Sequence, residues 1–167
     1  MSNLEKKTVL NVINELNRLG HSKKVIELKD TARSALDASI ALNVPVGAIV
    51  KTLIFIIGTE EEEIPVITLI AGDRLCNTDN LLKLLNSNGK VIRPDANKVK
   101  EITGYSIGGV SPIGLPLNID IIIDTSLKRF ELLWAAAGHP HCVFNSTFNE
   151  LKHFTKATES DEISFIK

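Results

Sequence analysis

The chain has 167 residues, 44% of them hydrophobic and 23% charged, which is typical of one soluble globular domain, here residues 1–167, with a substantial core. Its formal net charge of −1 excludes a broad basic surface for nucleic acid, so any RNA contact must be local or depend on a partner protein. Two cysteines, no recognisable signal peptide and no apolar run near the roughly 20 residues of a membrane span predict a reduced, cytoplasmic protein without a membrane partner.

The N-terminal part of the chain predicts two helices separated by a short strand. Ser2 and Glu5 have the spacing of a capping box at the start of the first helix, and Gly20 suits its C-terminal end. One face of this helix carries an apolar stripe, formed by Val9, Val12, Ile13 and Leu16. Residues 25–28 predict a strand, and residues 31–42 predict an alanine-rich helix that can pack closely on a sheet.

A β-branched, apolar segment at residues 48–57 predicts a central strand that is covered on both faces. Lys51 interrupts this pattern. A lysine is almost never fully buried without a partner, because removing water from an ammonium is costly. Its side chain therefore either lies near the strand end with the ammonium in water, or points into a polar cleft as a positive charge held at a site.

An acidic turn follows this strand. Residues 60–63 are four consecutive glutamates, which repel one another and predict an exposed hairpin turn rather than a metal site. Residues 66–71 predict the returning strand, antiparallel to the first because the connection is short. Asp73 is either a turn or helix-start residue or the ion-pair partner of Lys51 or Arg74, with the structural role favoured.

The remaining elements alternate between helices and strands. They are helices at 78–86 and 94–103 and strands at 91–93, 118–124, 132–137, 143–145 and 163–166. A further helix, capped by Ser146 or Thr147, ends at Phe154, and Glu150 has the spacing that completes a capping box with Thr147. Asp120 interrupts an apolar strand and either bonds the loop backbone or faces solvent at a sheet edge, with the solvent position favoured. Together the elements predict a mixed α/β fold with a largely antiparallel sheet and surrounding helices.

A glycine- and proline-rich loop spans residues 104–116. Neither a regular helix nor a strand can run through it, because glycine weakens both elements and proline lacks an amide donor. Its exposed backbone amides are suited to anions, phosphates or developing oxyanions. The loop has neither the Walker ending nor the spaced glycines of a dinucleotide fingerprint. A tight structural connection between a helix and a strand is the alternative.

His139-Pro140-His141-Cys142 suggests a zinc site, since two histidines one residue apart can share a strand face. A closed structural zinc site needs four ligands, however, and no further cysteine or histidine motif stands nearby. No metal is therefore predicted.

Three stretches taken together resemble the YbaK/ProX family of aminoacyl-tRNA deacylases, the synthetase-associated editing domains. They are residues 46–55 with Lys51, then Ala71-Gly72-Asp73-Arg74, then residues 103–114. Their order and spacing fit the family from Ser34 to Thr155. The resemblance implies one editing domain of mixed α/β fold, with no cofactor and no metal.

The resemblance also assigns site residues. It implies a catalytic group composed of Lys51, Gly108, Gly109, Val110 and Ser111, and substrate contacts from Thr52, Asp73, Pro112, Gly138 and His139. The loop amides would receive the oxyanion or fix the ribose end, while Lys51 would act by its charge. A role as general base would require a pKa well below ~10.4. We expect Ser111 to shape the loop, because no base is placed by sequence to activate it.

The implied function is removal of a wrong amino acid, alanine or cysteine, from tRNA for proline. The ligand is then the acceptor end of aminoacyl-tRNA, and prolyl-tRNA synthetase is the candidate protein partner. Such a second sieve is needed because a missing methylene is discriminated by only ~1–3 kcal/mol. Two other classes stay open: a non-catalytic tRNA- or synthetase-binding module of the same fold, and an enzyme whose Lys51 forms a Schiff base with a small carbonyl compound.

Overall fold

Helices and strands alternate along the chain in a computed structural model, which describes residues 2–167. The helices are α1 (Lys7–Arg18), α2 (Ala35–Leu42), α3 (Thr78–Leu84), α4 (Ala96–Thr103) and α5 (Phe148–Thr155). The strands are β1 (Ile26–Glu27), β2 (Val50–Gly58), β3 (Glu63–Ala71), β4 (Arg74–Cys76), β5 (Lys90–Ile92), β6 (Asp120–Asp124), β7 (Leu133–His139), β8 (Cys142–Ser146), β9 (Thr158–Ser160) and β10 (Ser164–Ile166).

The main sheet has five strands in the order β5-β2-β3-β6-β9. β2 and β3 form the predicted antiparallel hairpin, in which Val50 lies opposite Ala71 and Gly58 opposite Glu63, so the four glutamates occupy the turn and its edge. β3 pairs with β6, and β6 with β9, in parallel. The predicted mixed α/β fold is therefore confirmed. The lysine-bearing strand is interior, as predicted, although β3 rather than β2 lies at the centre.

Two small antiparallel sheets complete the fold. One has the order β1-β8-β7, and the other pairs β10 with β4. In the second, Ser164 lies opposite Cys76 and Ile166 opposite Arg74. The C-terminal strand is therefore held beside the end of the β2–β3 hairpin.

The side chains of β2 divide between two apolar clusters, because successive residues of a strand point to opposite faces. Val50 and Ile54 belong to the larger cluster, which also contains the buried residues of α1. Phe55 and Ile57 belong to the smaller cluster, beneath α3. Burying each large apolar side chain stabilises the fold by about 1.5–3 kcal/mol. The sheet is thus covered on both faces at β2, as its composition predicts.

The start of the first helix differs from the prediction. The Ser2 hydroxyl accepts the Leu4 amide and begins a 3-10 turn, and it donates to the Glu27 carboxylate at 3.0 Å. α1 itself begins at Lys7, so the predicted capping box with Glu5 is wrong. The Ser2 oxygen accepts the Leu4 amide instead of the Glu5 amide that a capping box would require.

The second helix also begins later than predicted. Ser34 caps it by accepting the Asp37 amide at 3.0 Å, so α2 starts at Ala35 rather than at residue 31. The amide of Ala32 instead donates to the carbonyl of Pro140 at 2.6 Å, which holds this segment beside the β7–β8 turn. A tertiary bond therefore replaces the first helical turn.

Other boundaries agree more closely. The capping box of Thr147 and Glu150 is confirmed at the start of α5. α3 ends at Leu84, two residues early, because Asn86 takes a left-handed conformation with φ +52°. Asp120 is exposed, as predicted, at the first position of β6.

Candidate functional site

A cavity of about 810 Å³ lies beside the beginning of β2. Residues 50–54 of β2 form one side of it, and Ala135 and Ala136 of β7 lie next to them. α2 and the segment before it form a second wall, and Ile107, Gly108 and Val110 of the glycine loop form a third. The helix predicted to pack closely and the loop predicted to bind anions therefore meet at one site.

Lys51 lies at the second position of β2 and is half-buried. Its ammonium donates a hydrogen bond to the backbone carbonyl of Arg74. Burial lowers the pKa of Lys51 below its ordinary value, the charge of Lys167 lowers it further, and Asp73 acts in the opposite direction. The sequence left two interpretations open, a position near the strand end and a position in a polar cleft. The structure combines parts of both, since Lys51 is near the start of β2 and lines the cavity.

Three of the backbone amides at residues 108–111 of the glycine loop form no hydrogen bond within residues 2–167. The amides of Gly108, Val110 and Ser111 have no hydrogen-bond acceptor among residues 2–167, whereas the Gly109 amide donates to the Ser106 carbonyl at 2.9 Å. Gly108 has φ +90°, a conformation that glycine adopts at little cost. Gly108 and Val110 line the cavity, whereas Ser111 does not.

Buried hydrogen bonds fix the loop from behind. The Tyr105 hydroxyl donates to the Ile113 carbonyl at 2.6 Å, and Asn11 of α1 donates to the Tyr105 oxygen at 3.0 Å. Burial raises the pKa of Tyr105 to about 12, so the hydroxyl keeps its proton. The fully buried Ser111 hydroxyl accepts the Ile113 amide at 3.1 Å. Ser111 therefore shapes the loop through its side chain, and Tyr105, which the sequence analysis did not single out, anchors it.

Asp73 occupies the turn after β3 and lines the cavity. Its carboxylate accepts two hydrogen bonds from the Arg129 guanidinium, at 2.9 Å and 2.7 Å. These hydrogen bonds hold the pKa of Asp73 below its ordinary value. The turn position was predicted, but the partner is Arg129 rather than Lys51 or Arg74, because a 3-10 turn at Thr125–Arg129 brings that guanidinium alongside.

The turn at Gly138 and His139 supports the loop instead of lining the cavity. A Cβ on Gly109 would lie 2.8 Å from the His139 Cα, so the two backbones are in direct contact. Gly138 faces α1, where its carbonyl accepts the Thr8 hydroxyl at 2.8 Å. The rings of His139 and His141 lie 5.7 Å apart. Within residues 2–167, no three His, Cys, Asp or Glu residues are grouped as metal ligands would be.

The predicted site residues therefore fall into two groups. The cavity is lined by Lys51, Thr52, Asp73, Gly108 and Val110. The residues outside its lining are Gly109, Ser111, Pro112, Gly138 and His139. The Thr52 hydroxyl is buried and has no partner within the described residues, so a ligand group can satisfy it. Lys51 shares its strand face with Phe55, whereas Thr52 points to the opposite face.

Sequence reasoning missed two arginines of the cavity, Arg33 and Arg93. The Arg33 side chain crosses Gly108, since a Cβ on that glycine would lie 2.7 Å from the Arg33 Cγ. The Arg93 guanidinium carbon lies 4.9 Å from the centre of the Phe55 ring. With Lys51 and Lys167, these residues give the cavity four cations against one acid, Asp73. No local pattern marks either arginine, because their positions depend on tertiary packing.

A family profile described as the aminoacyl-tRNA editing domain matches residues 29–154, a stretch that contains every element of this cavity except the C-terminal lysine. The chain belongs to the aminoacyl-tRNA editing domain family. The match ends before β9 and β10, so these two strands lie outside the part of the chain that the family profile covers.

Curated relatives include both a similar-sized protein and much longer ones. The editing domain is 28% identical to protein YwhH of Bacillus subtilis, which is uncharacterised, over 131 residues that cover 78% of this chain and 80% of YwhH. It is 32% identical over 105 residues to the proline–tRNA ligase of Lactobacillus helveticus. That match covers 63% of this chain but only 18% of the ligase. The chain therefore corresponds to a small part of the ligase.

A solved structure of a candidate trans-editing enzyme for prolyl-tRNA synthetase has the same fold. It matches the editing domain with a TM-score of 0.83 and 30% identity, covering 93% of this chain and 96% of the other. None of the helices within residues 2–167 has both the length and the apolar character that crossing a membrane requires.

Proposed function

We propose that this editing domain is an aminoacyl-tRNA deacylase that acts in trans, with residues 1–167 as one functional unit. The observation that carries the proposal is that one cavity is lined both by a half-buried lysine, Lys51, and by Gly108 and Val110, whose backbone amides have no acceptor within residues 2–167. Its volume of about 810 Å³ falls in the range that accommodates small ligands. Membership of the editing-domain family agrees with this chemistry.

The proposed reaction is hydrolysis of the ester between an amino acid and the terminal ribose. A water oxygen bonds to the carbonyl carbon, the carbonyl becomes an oxyanion, and the bond to the ribose oxygen then breaks. The ribose oxygen leaves with a proton that originates from the water. The amides of Gly108 and Val110 would stabilise the oxyanion, a contribution typically worth about a hundredfold in rate for one donor.

Lys51 contributes its positive charge in this proposal. The ammonium donates to the Arg74 carbonyl, which leaves its other protons for the substrate. Ser111 is not the proposed nucleophile, because its hydroxyl is buried and accepts the Ile113 amide. Water is therefore the proposed nucleophile.

The proposed substrate is tRNA for proline carrying alanine or cysteine. Support comes from the relatives, which include several proline–tRNA ligases and the candidate trans-editing enzyme. Alanine and cysteine are small enough to be charged in error, since binding alone separates similar side chains by only ~1–3 kcal/mol. Prolyl-tRNA synthetase is the candidate protein partner.

Release of labelled amino acid from Ala-, Cys-, Ser- and Pro-charged tRNA for proline tests the function. We expect the wild type to clear one mischarged species and Lys51→Ala to clear it about a hundredfold more slowly. Lys83→Ala, which removes an exposed lysine outside the cavity, should match the wild type. If the wild type hydrolyses none of the four, even with prolyl-tRNA synthetase added, the deacylase proposal fails for them and the binding-module alternative gains.

A second candidate function is favoured by the half-buried position of Lys51 at the cavity, which lowers the pKa of its ammonium. A Schiff base needs a neutral amine, and burial increases the fraction of lysine in that form. Borohydride treatment with pyruvate as a small carbonyl probe, followed by mass measurement of the Lys51 peptide, separates the candidates. The deacylase proposal predicts an unmodified peptide, and a reduced adduct would favour the Schiff base.

A further inference from the structure

Arg33 places a positive charge at the cavity. It lies in the segment before α2, is exposed, and extends across Gly108 of the glycine loop. No carboxylate within residues 2–167 lies within 4.0 Å of its guanidinium, although Asp30 and Asp37 are close in sequence. The guanidinium also forms no hydrogen bond within that range. Its donors are therefore available to a ligand.

The surrounding charge favours an anion. Arg93, Lys51 and Lys167 line the same cavity, and the one acid there, Asp73, is already bound by two hydrogen bonds from Arg129. The whole chain nevertheless has a formal net charge of −1. Positive charge is thus concentrated at this cavity, where an anionic ligand would offset it.

The hydrogen-bond donors of the cavity differ in how far they are buried, so they can contact different parts of one ligand. Val110 is 8% exposed, Gly108 is half-buried, and Arg33 is exposed, so the available groups run from the interior to the solvent. In an aminoacyl-tRNA the reactive ester is at the extreme end of the molecule, and the first phosphate lies one ribose further out. The inner amides then match the ester, and the outer guanidinium matches the phosphate.

We propose that Arg33 binds the phosphodiester that joins the terminal nucleotide to the one before it, and so positions the ester against the amides of Gly108 and Val110. This inference rests on the proposed deacylase function. A guanidinium suits the role because its planar donors can bind two phosphate oxygens at once. Arg33 is accordingly a binding and positioning residue, and the ester is hydrolysed by other groups.

Two substrates that differ in the phosphate test the inference. The first is alanyl-tRNA for proline, and the second is alanyl-adenosine, the same ester on a nucleoside without any phosphate. We expect Arg33→Ala to lower kcat/KM for the tRNA about tenfold and to leave kcat/KM for alanyl-adenosine unchanged. Arg33→Lys should restore part of the loss. Lys83→Ala is the matched control and should change neither substrate.

An equal loss on both substrates would overturn the inference, because it would show that Arg33 acts on the loop or the fold. No loss on the tRNA would also overturn it. If the preferred amino acid proves to be cysteine, the cysteinyl forms of both substrates replace the alanyl forms without changing the expected pattern.

A binding measurement keeps the inference testable if no ester is hydrolysed. The probe is a fluorescent cytidylyl-cytidylyl-adenosine trinucleotide, titrated with wild type and Arg33→Ala over a range of salt concentrations. Losing one phosphate contact to a single strand should reduce the slope of log affinity against log salt by about 0.7. An unchanged slope and affinity would contradict the inference, whereas absent hydrolysis with the expected change in slope would contradict only the deacylase proposal.

Discussion

At the scale of single residues, Lys51 combines two properties that oppose one another. Its half-buried position disfavours the charged form, as the lowered pKa indicates, while the Arg74 carbonyl accepts a hydrogen bond from the ammonium and favours that form. An electrostatic role and a role as general base therefore depend on opposite protonation states. The pH dependence of the rate has a different sign in the two cases.

We predict that deacylation, corrected for the uncatalysed reaction, falls as pH rises through the pKa of Lys51, which lies below its ordinary value of 10.5. The ammonium is fully present below that pKa and is lost above it. A profile from about pH 6 to about pH 10 measures this. Lys51→Arg stays charged throughout this range, so its residual rate should not fall. A wild-type rate that rises across the same range would indicate a general base instead.

Two glycines of the loop, Gly104 and Gly109, should lose different amounts of unfolding free energy when a methyl group is added. Gly104 has φ +81° with open space around its Cβ position, so Gly104→Ala should cost only the backbone strain, about 1–2 kcal/mol of unfolding free energy. Gly109 lacks a positive φ, but Gly109→Ala would bring a methyl group to 2.8 Å from the His139 backbone and should cost about 1–3 kcal/mol through this clash.

Urea unfolding of both glycine variants measures this difference. Leu117→Ser, at a side chain that is 94% exposed, is the control and should stay within about 0.5 kcal/mol of the wild type. If Gly109→Ala retains full stability, the close contact between the loop and the His139 turn is wrong.

At the scale of elements, the cavity depends on how α2 begins. Ser34 caps this helix and also lines the cavity, so the cap fixes both the helix start and the direction of the preceding segment, which carries Arg33. α5 offers a comparison, since its cap, Thr147, lies outside the cavity lining. The two caps make similar hydrogen bonds but should differ in their effect on activity.

Ser34→Ala and Thr147→Ala should each lower the unfolding free energy by about 1 kcal/mol, because each removes a side-chain acceptor for a helix amide. Only Ser34→Ala should also reduce kcat/KM, since it loosens a wall of the cavity. Denaturant unfolding and single-substrate kinetics on the same preparations measure both effects. Equal kinetics for the two variants would show that the α2 cap does not govern the site.

At the scale of the whole molecule, long-range contacts concentrate positive charge at one cavity of a chain that is nearly neutral overall. The Asp73–Arg129 ion pair is part of this arrangement. Asp73 lines the cavity, and Arg129, which lies outside the lining, pairs with its carboxylate. Both side chains are partly exposed, so the pair should stabilise the fold only modestly, by roughly 0.2–1 kcal/mol.

The contribution of this pair should depend on pH. The pKa of Asp73 is lowered in the fold, so the stabilisation is present above its ordinary value of 3.8 and is lost as pH falls through the lower, folded value. The difference in unfolding free energy between wild type and Asp73→Asn should therefore shrink below about pH 4. Unfolding of both proteins in urea at neutral and acidic pH measures it, and a constant difference would contradict the assignment.

Sequence patterns predicted the lysine strand, the hairpin and the shaped loop, because each depends on local composition and spacing. Arg33 and Arg93 could not be predicted as cavity residues, since they meet Gly108 and Phe55 only after the chain has folded. The strands β4 and β9 were missed because neither has the adjacent β-branched or aromatic residues that mark the equally short β5 and β10. The late start of α2 depends on a hydrogen bond to the β7–β8 turn, which is also a tertiary effect.

The most direct test of the account is a single-turnover reaction of excess wild-type protein with alanyl- or cysteinyl-tRNA for proline in ¹⁸O-labelled water. We predict that the released amino acid carries one ¹⁸O in its carboxylate, that intact tRNA is recovered, and that the Lys51 peptide keeps its unmodified mass. Hydrolysis by water at the acyl carbon requires all three results. Failure to release either amino acid, or a released amino acid without ¹⁸O, would contradict the account.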